Sequence, residues 1–242
     1  MYDNIHIFEN PKLQAIALAD NFRDMIIEKT RIQNEINIAV SGGNTPEIFF
    51  KTLAQSHSRL PWENIHIFWV DERCVPPEDP ESNYGMTRKS LLDKIDIPKK
   101  NVHRIFGEED PYIEAKRYSE EIRLKVFSDN TWPVFDWILL GLGEDGHTAS
   151  LFPGSAVLEN TKSISAVAIH PQTGQRRITL TLPVLNHTKR ITYLVSGQSK
   201  AQRIVHILKS ENNHPNIPAT RVKPVSGIIE WFLDRDAAER IT

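Results

Sequence analysis

Short, dense apolar runs alternate along this chain with segments of helical periodicity, and that alternation restricts the available folds more than any other feature. Residues 36–40, 65–70, 137–142, 164–169, 178–182, 191–195 and 228–234 read as strands. Between them, Ala15, Leu18, Ala19, Phe22, Met25 and Ile26 recur at the spacing of one helix face, after Asn10-Pro11 as cap and first turn. Further helices are expected from Thr45-Pro46, within 83–94, from Asp110-Pro111 to about Phe127, from Gly197-Gln198-Ser199-Lys200 to about Leu208, and just after the last strand. Strands alternating with helices predict an α/β layered fold, a mainly parallel sheet flanked by helices. No repeat, low-complexity tract or composition break interrupts the 242 residues, so residues 1–242 are expected to form a single domain.

Composition removes several function classes. Lysine plus arginine number 29 and aspartate plus glutamate 31, a net charge of −2, which excludes a nucleic-acid binder working by bulk charge. A single cysteine, Cys74, cannot build a disulfide framework or a multi-cysteine zinc site. The nine histidines are scattered, so no metal site is indicated. Residues 1–10 lack the basic start and apolar run of a signal peptide, and no apolar run reaches 18 residues. The expectation is a cytoplasmic protein without membrane contact. The segment from Cys74 to Ser82 is rich in proline and acid and reads as a surface connection or a lid.

In open α/β sheets ligands bind beyond the carboxyl ends of the strands, and the polar clusters of this chain fall at those ends. Ser41-Gly42-Gly43-Asn44-Thr45 lies between a strand and a helix, where successive backbone N–H groups can face an anion. A capped tight turn explains the same residues equally well. No lysine follows the glycines, which argues against a nucleoside triphosphate site. Asp71-Glu72-Arg73 ends the next strand, either as a solvated loop or as a charged edge with an arginine for phosphate. Gly141 to Gly146 matches the three-glycine dinucleotide pattern. However, Glu144 and Asp145 would face a pyrophosphate, and Pro153-Gly154 interrupts the chain too soon for a crossover helix. What remains is a glycine-rich loop presenting Asp145 and His147. The imidazole suits a general base, and a hydrogen-bonding loop histidine is the plainer alternative. Arg176-Arg177 and Lys200 are surface charges taken singly, and part of a phosphate pocket taken together with the glycine turn.

Several blocks in order carry a resemblance. They are Ser41-Gly42-Gly43-Asn44-Thr45-Pro46, Asp71-Glu72-Arg73-Cys74-Val75-Pro76, Ser82-Asn83-Tyr84-Gly85-Met86, and the long run from Gly141 through His147 to Gly154. Arg177-Ile178-Thr179-Leu180-Thr181, Gly197-Gln198-Ser199-Lys200-Ala201 and Trp231-Phe232-Leu233-Asp234 extend it over nearly the whole chain. Together they resemble the 6-phosphogluconolactonase family. The resemblance implies the fold of glucosamine-6-phosphate deaminases and ribose-5-phosphate isomerases. It further implies hydrolysis of 6-phosphoglucono-1,5-lactone, a sugar phosphate lactone of the pentose phosphate pathway, without metal or organic cofactor. By position, it makes His147 the catalytic base with Asp145 beside it. It places phosphate among Ser41, Gly42, Gly43, Asn44, Thr45, Arg73, Arg177 and Lys200, and puts Asp71 and Glu72 near the sugar hydroxyls or the histidine. Asn44 departs from a serine common in the turn. The deaminase branch carries a glutamate shortly after its histidine, where Thr148-Ala149-Ser150-Leu151-Phe152-Pro153 has no carboxylate. A sugar-phosphate sensor is the competing class, and no added DNA-recognition module is evident. The oligomeric state stays open, a monomer being compatible with the sequence.

Overall fold

The computed structural model describes residues 4–128, 131–209 and 216–241. The elements run β1 (Ile5–Phe8), α1 (Pro11–Lys29), β2 (Ile36–Val40), α2 (Asn44–Ser56), β3 (Ile65–Trp69), β4 (Asp71–Arg73), α3 (Asn83–Ser90), β5 (Val102–His103) and α4 (Pro111–Lys125). They continue with β6 (Trp137–Leu140), β7 (Ser165–Ile169), β8 (Arg176–Leu180), α5 (Leu182–Asn186), β9 (Arg190–Val195), α6 (Ala201–Lys209), β10 (Ile228–Asp234) and α7 (Arg235–Ala238).

Seven strands in the order β1-β10-β9-β6-β2-β3-β5 form one sheet, every pairing parallel. Its central strands β2, β3 and β6 are buried at every residue, which is why they read as unbroken apolar runs rather than alternating ones. Helix α1 lays Leu18, Phe22 and Ile26 against this sheet, and Trp62, Trp69, Trp137, Tyr118 and Tyr193 fill the core around it. Four of the described α-helices begin on side-chain caps: Asn10 for α1, Ser82 for α3, Asp110 for α4 and Asp234 for α7. No helix among the described residues is long and apolar enough to cross a membrane.

The mainly parallel sheet is as expected, but two expected strands lie outside it. Strands β7 and β8 form a separate antiparallel sheet with β4, in the order β4-β8-β7. Only residues 170–175 connect β7 to β8, too few for a parallel crossover, so the pair closes as a hairpin. Val70 joins the two sheets: its N–H donates to Val40 of the main sheet and its carbonyl accepts from Leu180 of the small one. The chain therefore leaves β3, turns at one residue, and starts β4 as a strand that the sequence shows only as a charged triplet. Strands β1 and β5 were also not expected. The 178–182 strand is shifted to Arg176–Leu180, the 137–142 strand ends at Leu140, and α4 stops at Lys125.

Candidate active site

The carboxyl ends of β2, β6 and β9 open onto a cavity of about 390 Å³. Ser41, Gly42, Gly43, Asn44, Thr45, Asp71, Arg73, His147, Arg177 and Lys200 all line it, as do Asn83, Thr148, Ala149 and Ser196. Residues from six separate chain segments thus meet in a space suited to a small ligand.

The histidine is held from three directions. The Nδ1 of His147 lies 2.6 Å from Asp145 Oδ1, and the same oxygen accepts the His147 backbone N–H at 3.0 Å. Burial alone would raise the Asp145 carboxyl. The hydrogen bonds from the His147 ring and backbone, with the imidazole's charge, outweigh it and bring the carboxyl down to about 2. A charged carboxylate accepts only, so in the neutral imidazole Nδ1 carries the hydrogen and Nε2 the lone pair. Gly143 lies against the ring: a Cβ there would stand 2.1 Å from His147 Nδ1 and 2.7 Å from Asp145 Oδ1. The glycine-rich loop is needed for this close approach, not for a pyrophosphate. Its own amides are internally committed, Gly143 N–H donating to the His147 carbonyl and Gly146 N–H to the Gly143 carbonyl.

Opposite the histidine the cavity is cationic. Strands β4 and β8 place Arg73 directly across from Arg177. Both guanidinium groups are anchored at one edge: Arg73 donates from NH1 to the Glu81 carbonyl, and Arg177 Nε donates to Gln175 Oε1 at 3.2 Å. The Arg73 Nε–H is buried and has no protein acceptor. Burial, with Arg73 nearby, lowers the Arg177 pKa against the pull of Asp71. Lys200 joins them from the turn that precedes α6, 3.9 Å from the exposed Glu144. Helix α2 opens into the same space from Gly43 with no side-chain cap, unlike α1, α3 and α4. Its first-turn N–H groups add to the positive potential.

The expectations for individual residues sort by strand geometry. In β4 successive side chains alternate, so Asp71 and Arg73 face the cavity and Glu72 points away. Glu72 is a correction to the predicted ligand set: it is buried and lines no part of the cavity. Its carboxylate instead accepts the backbone N–H groups of Arg73, Asn83 and Tyr84, each at 2.8 Å, and the Ser82 hydroxyl at 3.1 Å, fixing α3 against β4. Burial pushes its carboxyl up to about 7 against those backbone donors. Likewise β8 turns Arg177 inward and leaves Arg176 exposed. Ser41 lines the cavity, but its hydroxyl donates to the Leu139 carbonyl at 2.9 Å. Asp71 is buried and accepts from Ser150 Oγ at 2.7 Å.

Asn83 was not among the expected site residues, though it lies within a motif. Its Nδ2 donates to the Asp71 carbonyl at 2.9 Å, and a Cβ on Gly42 would stand 1.8 Å from its Oδ1. Its sequence signal was its place in the block from Ser82 to Met86. Cys74 is half-buried, and burial with the neighbouring Glu72 pushes its thiol up to about 11, which disfavours the reactive thiolate.

With this geometry in place, comparison with known proteins decides the family. The family model of glucosamine-6-phosphate isomerases/6-phosphogluconolactonase matches residues 9–231. The chain belongs to this family. It is similar to the 6-phosphogluconolactonase of Haemophilus influenzae, 42% identical over 220 residues that cover 90% of this chain and 93% of that one. Among solved structures, the 6-phosphogluconolactonase of Trypanosoma brucei superposes with a TM-score of 0.89 at 28% identity, covering 99% of this chain and 98% of that one. A monomeric glucosamine-6-phosphate deaminase shares the fold, with a TM-score of 0.82 at 22% identity over 98% of this chain and 99% of its own. The lactonase and the deaminase thus share the fold of this chain.

Proposed function

We propose that this chain hydrolyses 6-phosphoglucono-1,5-lactone to 6-phosphogluconate, the second step of the oxidative pentose phosphate pathway, as one catalytic domain acting in the cytoplasm. The observation that carries the reading is the meeting, in one cavity, of a carboxylate-bound histidine with Arg73, Arg177 and Lys200. A lactone with a remote phosphate needs both: a base at the ester carbon and cations for the dianion.

In this reading the phosphate lies among Arg73, Arg177, Lys200 and the uncapped start of α2, and Asp71 and Asn83 face the sugar hydroxyls. His147 Nε2 takes a proton from water as the oxygen attacks the lactone carbonyl carbon, and Asp145 supports the imidazolium that forms. The tetrahedral intermediate then breaks the bond from that carbon to the ring oxygen, and His147 returns its proton to the departing oxygen. The product acid ionises in water. Since Gly143 and Gly146 N–H groups are committed within their loop, donors for the oxyanion come from other backbone at the cavity wall. The amino-sugar reading is disfavoured by the absence of a carboxylate between Thr148 and Pro153.

The test generates the lactone from glucose 6-phosphate with its dehydrogenase and follows its decay with and without the protein. Wild type is expected to accelerate the decay, and His147→Ala to lose on the order of 10²–10⁴-fold in kcat. Equal decay with and without active concentrations of wild-type protein would favour the sensor instead.

A further inference from the structure

We infer that Phe152 is a positioning residue that holds the base and the phosphate cation against one buried aromatic ring; this rests on the reading of His147 and Arg177 given above. The ring is 1% exposed and lies behind the cavity wall, so it does not touch substrate. Its centroid lies 4.9 Å from that of the His147 imidazole, tilted by 55°. The Arg177 guanidinium carbon stands 5.6 Å from the same centroid, within cation–π range. His170, from the β7–β8 hairpin, packs edge-on at 5.0 Å and braces the ring from a third side.

The local chain is shaped to deliver this ring. Thr148 and Leu151 form an isolated antiparallel bridge, and Ala149 between them takes φ +49°, a left-handed conformation uncommon for a residue with a side chain. Thr148 Oγ1 donates to the Gly141 carbonyl at 2.9 Å and Ser150 Oγ to Asp71, so the turn is anchored at both the loop that bears the histidine and β4. Five residues after the base, the chain therefore folds back and sets Phe152 beneath it. Asp145 fixes one edge of the imidazole, and the Phe152 ring limits how it can tilt about that hydrogen bond. The same phenyl ring keeps Arg177, whose Nε–H is taken by Gln175, from swinging out of the cavity. Base and cation come from different sheets, and Phe152 is the contact they share.

A double-mutant cycle with a stability control tests this. Phe152→Leu is expected to raise KM about 3-fold by releasing Arg177, and to lower kcat about 10-fold by loosening the base. Ile26→Val, equally buried on α1 and outside the cavity, is expected to lower the melting temperature with kcat and KM unchanged. In an Arg177→Met background, Phe152→Leu is expected to leave KM where it was. Should Phe152→Leu fail to fold, Phe152→Met enters the same cycle. Wild-type kinetics in the Phe152 variant, kinetic changes no larger than those of Ile26→Val, or KM effects that multiply in the double variant would each overturn the inference. Full turnover by His147→Ala would overturn the base assignment itself, with the kcat arm, and would be recognised separately because the KM cycle does not involve His147.

Discussion

The His147 imidazole is constrained by Asp145 at Nδ1, by Gly143 against its edge and by Phe152 against its face. The carboxylate decides the tautomer. An asparagine at 145 could offer its own N–H to Nδ1, which would move the ring hydrogen to Nε2 and remove the lone pair that accepts a proton from water. Asp145→Asn is therefore expected to fold normally and to lose on the order of 10²–10⁴-fold in kcat with little change in KM, measured by lactone decay. A large KM change with kcat preserved would point to Asp145 as a substrate ligand. At this scale the sequence was informative where side chains carry chemistry: a histidine two residues from an aspartate in a glycine-rich loop is visible as a pattern. Phe152 is an apolar residue among many, and nothing in its identity announces that an imidazole and a guanidinium lie against it.

At the scale of elements, β4 and β8 set two arginines side by side. Like charges directly opposite on adjacent strands weaken the pairing, so the small sheet is held in a geometry that an anion relieves. Arg177→Gln is expected to raise the unfolding free energy of the ligand-free protein by about 0.5 kcal/mol. It is also expected to raise KM at least several-fold and to abolish most of the thermal stabilisation that 6-phosphogluconate gives the wild type. Scanning calorimetry with and without the product reads both effects, and a variant that is less stable when free but still protected by the product would contradict the assignment. The same strands explain the misassigned glutamate. With only three residues, β4 shows no periodicity, so the alternation that turns Glu72 away from Asp71 and Arg73 could not be read before the strand itself was known. The long strands were legible because burial on both faces demands apolar side chains at every position.

Across the whole molecule, the carboxyl ends of the parallel strands hold the cavity and the opposite ends hold buried polar clusters that touch no part of it. Asp136, just before β6, accepts from Lys29 at 3.1 Å, Lys189 at 2.9 Å and the Asn37 backbone N–H at 3.0 Å. Asp136→Ala leaves those partners uncompensated and is expected to cost about 3 kcal/mol in denaturant unfolding, with KM and kcat retained in the folded fraction. On β3 and β5, His66 Nδ1 lies 2.9 Å from His103 Nε2, and His103 Nδ1 lies 2.7 Å from Glu121. Burial first, and His103 second, lower the His66 pKa below its ordinary 6.5, against Glu35. The folded state thus binds fewer protons there than the unfolded chain. The associated stability is complete above about pH 6.5 and is lost as pH falls through the lower folded value. The melting temperature is expected to drop across that window, and His66→Gln is expected to flatten the drop; an unchanged slope would exclude the pair as its source. By itself the sequence determined the layered α/β class, the order of the long elements and the gathering of polar residues at strand ends, because each follows from local periodicity and from which backbone groups a parallel sheet leaves open. Only the tertiary structure decided that β4, β7 and β8 form a second sheet, that Glu72 and Arg176 face away, and that His147 and Arg177 both pack against Phe152. Those outcomes depend on pairings between residues far apart in the chain, which no local pattern encodes.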